Sequence, residues 1–328
     1  MKQVCLGFLL LSFSQVLSGQ ILHGRVLDAE TQEPIPLASV FFDGTFAGTS
    51  TDEQGNFKLD VSKYFSRSLK ISAMGYSPYS LENLDPGKSY SILLARDLYE
   101  IEELTVVGNV IAKKRKAYMR IFRNEFIGLT TNARRCYIMN EEDITFNYNS
   151  DQDTLRAHAL KPLEIHNDAL GYHLEYHLES FEFVKETQKV SYQGSIVFTF
   201  DLAWEGYRSN VFKRRRRYAY TGSCKEFIRT LWQNSLKSSG YSIRNYYTGE
   251  ALKYKDVVTQ DSLGKKYLKY PGNLDIHYYN YISRISFLKE EAFFDQDGFF
   301  DPAAIMWSGK MAAQRIADFL PYEYSVGR

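Results

Sequence analysis

The sequence predicts a mainly β protein with some α: an N-terminal seven-stranded sandwich followed by a mixed β-rich domain with two or three helices. Three observations predict it. Aromatic residues make up 15% of the 328 residues, with 25 Tyr, 22 Phe and 3 Trp, and flat rings pack well on a half-buried pleated surface. Short apolar alternations separated by turn chemistry fill residues 20–95, and three later stretches switch to helical spacing. The length suits two domains of ordinary size. Apolar residues at 44%, charged residues at 24% and 40 Lys+Arg against 39 Asp+Glu exclude a disordered, collagen-like or strongly nucleic-acid-seeking chain.

Residues 1–19 read as a secretory signal peptide. Lys2 is a short basic start, residues 6–13 are an apolar run broken only by Gly7 and Ser12, and residues 14–19 form a polar, small-residue exit. Cleavage after Ser18 or Gly19 implies an exported chain. Nothing later approaches the roughly 20 apolar residues of a transmembrane helix, so no membrane span is expected. Cys5 lies at the start of the apolar run, badly placed for a lipid anchor. The remaining pair, Cys136 and Cys224, permits one disulfide without establishing it, and the two read as separate small buried residues.

In residues 20–95, Leu22, Gly24 and Val26 share one strand face, residues 31–36 make a proline-bounded turn, and residues 38–42 form the next strand. The run TDEQGN at 51–56 is a turn, because Asp, Gly and Asn tolerate or cap tight reversals. Phe57, Leu59 and Val61 then alternate with Lys58 and Asp60. About seven such strands fit, which is sandwich arithmetic.

G-R-V-L-D at 24–28, E-P-I-P-L-A-S-V at 33–40, G-T-S-T-D-E-Q-G-N-F at 48–57 and M-G-Y at 74–76 resemble the carboxypeptidase regulatory-like domain. The resemblance implies a prealbumin-like β-sandwich, an exported Bacteroidota protein, and a place in the periplasm or outer-membrane periphery. It does not imply catalysis. Residues 96–112 read as a linker, and L-Y-E-I-E-E-L-T-V-V-G at 98–108 resembles the segment after this domain in SusC-like TonB-dependent transporters. The residues that follow are too few for a plug and a 22-stranded barrel, whose strands need about 10 residues each. Residues 104–107 are expected to complete the sandwich as a last strand.

Residues 113–328 resemble an uncharacterised exported Bacteroidota family. The matching pieces include F-x-x-x-F-I-G at 122–128, N-A-R-R-C at 132–136, P-L-E-I-H-N-D-A-L-G-Y at 162–172 and R-I-A-D-F-L-P-Y-E-Y at 315–324. This resemblance leaves function open. Read physically, residues 113–127 form a basic amphipathic helix with Tyr118, Ile121, Phe122 and Phe126 on one face and Gly128 at its end. Residues 223–238 form a helix with a Ser223/Glu226 capping box and a face of Phe227, Ile228, Leu231 and Trp232. A third helix is expected at 309–320, stopped by Pro321. Between them, residues 143–200 are strand-rich, and Tyr172, Leu174, Tyr176 and Leu178 alternate with His173, Glu175, His177 and Glu179.

That alternation disposes of a tempting metal site. His173 and His177 are four apart, about 13 Å on a strand, too far to share one ion. His158, His166 and His277 are isolated in sequence, and HExxH, GxSxG and P-loop motifs are missing. The acidic turns at 52–56 and 295–301 offer two or three carboxylates each, where calcium wants six to eight oxygens. No catalytic, cofactor or metal residue is assigned.

Charge divides unevenly. Residues 21–106 carry a net −6 and residues 107–328 a net +6, so the halves are electrostatically complementary. Lys213, Arg214, Arg215, Arg216 and Arg217 are consecutive cations, expected in a loop ahead of the helix at 223, and form a candidate anion-binding patch. The expected function is a non-enzymatic cell-envelope binding or scaffold protein. Its expected partner is an envelope protein, an anionic glycan or a lipid headgroup, and not nucleic acid. The alternative is an envelope hydrolase whose site is assembled from residues distant in sequence.

Overall fold

The computed structural model describes residues 20–64, 67–97, 108–201 and 209–326, with the side chains of 108–112 left aside. The expected signal peptide at 1–19 and the expected strand at 104–107 lie outside the described residues. Seven strands build the N-terminal unit: β1 (Ile21–Asp28), β2 (Ser39–Phe42), β3 (Gly48–Ser50), β4 (Asn56–Asp60), β5 (Leu69–Ser72), β6 (Tyr79–Leu81) and β7 (Ser89–Leu94). They form two sheets, ordered β4-β1-β7 and β3-β2-β5-β6. The predicted alternation supplies the filling: Leu22 and Val26 from one sheet meet Val40, Phe42, Leu69 and Ile71 from the other in one buried cluster.

The second unit starts with α1 (Gly108–Phe122). Residues 123–127 continue it as one wider turn, closed where the Gly128 N–H donates to the Arg123 carbonyl at 3.1 Å. Helical structure therefore runs from 108 rather than from 113. Met119, Phe122, Phe126 and Ile127 are buried against a six-stranded sheet of β8 (Cys136–Ile138), β9 (Ile144–Asn149), β10 (Thr154–Ala159), β11 (Leu163–Asn167), β12 (Tyr172–Val184) and β13 (Lys189–Phe200). The order is β8-β11-β12-β10-β9, with β13 on the other edge of β12. Thus β12 is the spine, paired with β13 along its length and with β11 and then β10 on the opposite side.

Next comes α2 (Ser209–Tyr220), whose Ala219 and Tyr220 join the core of the six-stranded sheet. The third unit comprises α3 (Cys224–Trp232), β14 (Tyr241–Asn245), β15 (Ala251–Leu252), α4 (Tyr254–Val257), β16 (Val258–Gln260), β17 (Lys266–Lys269), β18 (Leu274–Tyr278), β19 (Tyr281–Phe287), β20 (Glu291–Phe294) and β21 (Ile305–Gly309). Its sheets are β15-β14-β18-β19-β21 and β16-β17-β20. Phe227, Ile228 and Leu231 of α3 are fully buried with Ile243, Ile276 and Phe294 in a core separate from that of the six-stranded sheet. The region expected as one β-rich domain thus holds two hydrophobic clusters. Among the described residues no helix is long and apolar enough to cross a membrane.

Three expectations need correction. The helix at 309–320 does not form: Gly309 ends β21, and two single turns follow at Met311–Ala313 and Ile316–Asp318. Tertiary partners take the backbone groups a helix would use, since the Met311 N–H donates to Ser283 Oγ at 3.0 Å and the Ala317 carbonyl accepts Asn167 Nδ2 at 3.0 Å. The cationic run at 213–217 is no loop but the middle of α2. The helix expected over 223–238 ends at Trp232. Its cap is sound, with Ser223 Oγ accepting the Glu226 N–H at 3.0 Å, but Glu226 reaches back to the Gly222 N–H, one residue earlier than a capping box predicts.

Candidate functional site

The sandwich meets the rest of the chain along a seam that is sealed at one end and open at the other. At the sealed end, the turn between β2 and β3 acts as a tongue. The Gly44 N–H donates to the Ile196 carbonyl at 2.8 Å, the Phe198 N–H donates to the Thr45 carbonyl at 2.9 Å, and Asp43 Oδ1 accepts the Ile196 N–H at 2.7 Å. These bonds add a short parallel rung to β13. Phe46 then stacks on Phe200 with ring centroids 4.2 Å apart. Desolvation raises the Asp43 carboxyl above its usual range.

The C-terminal segment closes over the tongue. The Tyr322 N–H donates to the Gly44 carbonyl at 2.8 Å, and Glu323 Oε1 accepts the Phe46 N–H at 2.9 Å and the Tyr64 hydroxyl. Gly44 has φ +73, and a Cβ there would lie 2.4 Å from the Tyr322 ring, so only glycine fits. Beside it, Arg67 of the sandwich donates through Nε and Nη2 to Asp295 Oδ2 at 3.1 and 2.9 Å, with its guanidinium 4.4 Å from the Tyr322 ring centre. Arg229 of α3 donates to the carbonyls of Asp297, Tyr322 and Tyr324 at 2.9, 2.7 and 2.6 Å. Burial, and secondarily Arg229, holds the Lys225 amine well below its ordinary pKa.

At the open end lies a cleft of about 1250 Å³. Its floor is the polar face of the six-stranded sheet, with Arg156 and His158 on β10, Glu164 on β11, and Glu175, His177 and Glu179 on β12. Its wall is the sandwich, with Ser39, Ser72, Met74 and Tyr76. The alternation of β12 holds, but the sandwich covers part of the polar face: His177 is 7% exposed and stacks on Phe41 of β2 at 4.8 Å. Glu175 Oε1 accepts the Ser39 hydroxyl at 2.7 Å and lies 2.9 Å from His177 Nε2. His177 first, and Ser39 after it, hold the Glu175 carboxyl below its usual range against desolvation. His173, on the same face, stacks on His166 at 3.9 Å and lies 3.2 Å from Asp201. Sequence spacing missed that pair because its members face each other across two strands.

The five cations of α2 split by helical geometry. Arg216 donates from Nε to the Leu170 carbonyl at 2.7 Å and lies 4.1 Å over the Tyr172 ring, and Arg215 reaches the Ala169 carbonyl at 3.4 Å. Lys213, Arg214 and Arg217 are exposed, next to a Tyr218 that is 85% exposed. Backbone carbonyls at 169–170 thus supply part of the compensation the run requires.

The two acidic turns are built from their own backbone. Asp52 Oδ1 accepts the N–H groups of Gln54 and Asn56 at 3.0 and 2.7 Å, and Asp295 Oδ1 accepts those of Asp297 and Phe299 at 2.8 and 3.0 Å. Among the described residues no group of three or more His, Cys, Asp or Glu side chains is placed to hold an ion. Cys136 and Cys224 are both free thiols.

A seven-stranded sandwich with a glycine-bounded turn after β2 and an Asp-led turn before β4 is now in view. Residues 22–106 match the family model of the CarboxypepD_reg-like domain. The regulatory-like domain therefore supplies the tongue and the cleft wall. The chain is also 31% identical over 119 residues to the TonB-dependent receptor SusC of Bacteroides thetaiotaomicron, a match covering 35% of this chain. It spans only 11% of that receptor's length. Among solved structures, a Bacteroides uniformis protein assigned to carbohydrate binding aligns over 55% of this chain and 98% of its own, at 10% identity and a TM-score of 0.18. A Bacteroides fragilis protein described as membrane-associated and of unknown function aligns over 88% of this chain and 94% of its own, at 11% identity and a TM-score of 0.18. Likeness at that level says nothing of what this chain binds.

The tongue, the Tyr322–Glu323 clasp and the Arg67–Asp295 pair went unread in the sequence. One signal was available: Phe46 is a large apolar residue inside a turn, between Gly44 and Gly48, where a solvated turn has no use for it.

Proposed function

We propose that the chain is a non-enzymatic binding or scaffold protein of the bacterial cell envelope, exported to the periplasm or outer-membrane periphery. Its ligand sits in the cleft between the regulatory-like domain and the six-stranded sheet. The supporting observation is the sealed seam: hydrogen bonds between the tongue and β13 fix the two walls, and the Arg67–Asp295 pair ties the sandwich to the third unit, so the cleft is held ready before any ligand arrives. Lys213, Arg214 and Arg217 form a second contact, directed at an anionic lipid headgroup or acidic glycan. The name of the SusC relative supports the envelope setting.

A hydrolase reading has one observation in its favour, a carboxylate and a histidine side by side in the cleft. The detail favours binding. Both Ser39 and His177 address the same oxygen of Glu175, so the carboxylate stands where a histidine must stand to activate a serine. His177 stacks on Phe41 and lies beside Glu175 rather than beside Ser39, so it is not placed as the base of that serine.

The test is site-specific photo-crosslinking in the native host. A photoreactive residue replacing Leu160 at the cleft is expected to give a discrete adduct, and one replacing exposed Tyr247 is expected to give none. Adducts at both positions, or at neither, would remove the cleft from the account.

A further inference from the structure

We infer that the cleft selects a cationic occupant, a lysine- or arginine-bearing polypeptide segment in extended form. This rests on the proposal that the cleft is the binding site. Five carboxylates line it, those of Asp97, Asp143, Glu164, Glu175 and Glu179, against the cations Arg156 and Lys161. Both cations are already engaged, Arg156 with Glu182 at 2.8 Å and Lys161 with Asp143 at 3.2 Å. Glu164 and Glu179 have no ion pair among the described residues, and Glu164 stands directly opposite Glu175 across β11 and β12. Like charges set opposite each other are destabilising, and a concave site with low-dielectric walls concentrates their field.

His177 is an independent pointer to a missing partner. It is more than nine-tenths buried in the cleft floor, yet its Nε2 makes no in-line hydrogen bond with any described residue, despite lying 2.9 Å from Glu175 Oε1. His177 and Ser39 both address Glu175 Oε1, and Glu175 Oε2 has no hydrogen-bond partner among the described residues.

The size and rim of the cleft favour a chain over a small cation. At about 1250 Å³ it exceeds what a single ion or amine fills. Leu37, Met74 and Leu160 line it while 81, 63 and 54% exposed, and such groups suit the aliphatic stems of Lys and Arg, whose charged heads reach past them. Glu164 and Glu175 stand side by side on β11 and β12, and Glu179 follows on β12 at the irregularity between Leu178 and Ser180, so the carboxylates are spread along the cleft rather than gathered at one point.

The experiment is fluorescence anisotropy on the full mature chain with a labelled decapeptide of alternating Lys and Ala, and its Glu-for-Lys twin. Saturable binding of the Lys peptide is expected, weakened by salt and weakened about tenfold or more by the Glu164→Gln/Glu179→Gln double substitution. Glu53→Gln/Glu250→Gln, the same charge change outside the cleft, is expected to leave binding unchanged. Thermal unfolding of each variant shows that the fold is intact. Failure of the Lys peptide to bind, or equal binding to both double variants, would overturn the inference. Equal binding of the Glu twin would overturn the charge preference while leaving a cleft ligand in place. A failed crosslink at position 160 would instead overturn the underlying reading.

Discussion

The two ends of the seam use the same residue types to opposite ends. At the sealed end, Arg67, Arg229, Glu323 and Asp295 are each bound to backbone or to a counter-charge, and aromatic rings of Phe46, Phe299 and Tyr322 fill the space between them. At the open end, Glu164 and Glu179 line a cavity and have no ion pair among the described residues. Burying a charge is tolerable only when it is paired and hydrogen-bonded. The sealed end is not saturated, since Arg67 Nη1 and Glu323 Oε2 are buried without a hydrogen-bond partner among the described residues. What separates the ends is that every charge named at the sealed end has at least one charged or backbone partner, and the proposed binding role rests on the open-end carboxylates that lack an ion pair among the described residues.

The largest expected effect comes from breaking the sealed end. Arg67 and Asp295 have side chains only 3 and 11% exposed, so Arg67→Ala strands a buried carboxylate and is expected to cost about 3–5 kcal/mol of unfolding free energy, read from urea denaturation. A loss under about 1 kcal/mol would mean that the pair is as weak as a surface bridge.

The contrast repeats on α2, with a smaller effect. Arg216→Gln removes donors from the Leu170 and Gly171 carbonyls and is expected to cost about 1–2 kcal/mol. Replacing Lys213, Arg214 and Arg217 together with Gln is expected to change stability by no more than about 0.5 kcal/mol. The same triple variant is expected to lose salt-sensitive retention on vesicles rich in anionic lipid. Equal destabilisation by the two variants, or unchanged retention of the triple variant, would erase the distinction.

The smallest effect is a pH dependence inside the regulatory-like domain. Asp28 accepts the N–H groups of Thr31 and Glu30 and pairs with Arg96, and these contacts, led by the Thr31 N–H, depress its pKa. A depressed carboxyl adds stability that is fully present above its unfolded pKa near 4 and is lost as pH falls toward the folded value. Asp28→Asn is therefore expected to flatten the acid limb of the stability profile and to lower the plateau at neutral pH. An acid limb unchanged in slope would assign the effect to other carboxylates.

The sandwich was legible because its signals are local: the alternation around Leu22 and Phe57 and the Asp52 turn each act within a few residues. The cap of α3 was legible for the same reason. The helix expected at 309–320 failed because Ser283, Asn167 and Lys225, all distant in sequence, capture its backbone. Helical spacing cannot see such competitors. The candidate site was least legible. Ser39 and Glu175 are 136 positions apart, and Arg67 and Asp295 are 228 apart, so no motif spacing relates them. The cationic run was visible as composition, but its division into structural and exposed members needed the helix and the carbonyls at 169–171.

The central claim is that the tongue of the regulatory-like domain is welded to the six-stranded sheet, leaving a preformed cleft. Hydrogen exchange at the amides of Gly44, Ile196, Phe198 and Tyr322 tests it most directly, since each donates across the seam. The account predicts protection equal to that of the β12 core amides, with exchange only on global unfolding. Rapid exchange at these four amides while β12 remains protected would contradict it and show two domains joined only by their linker.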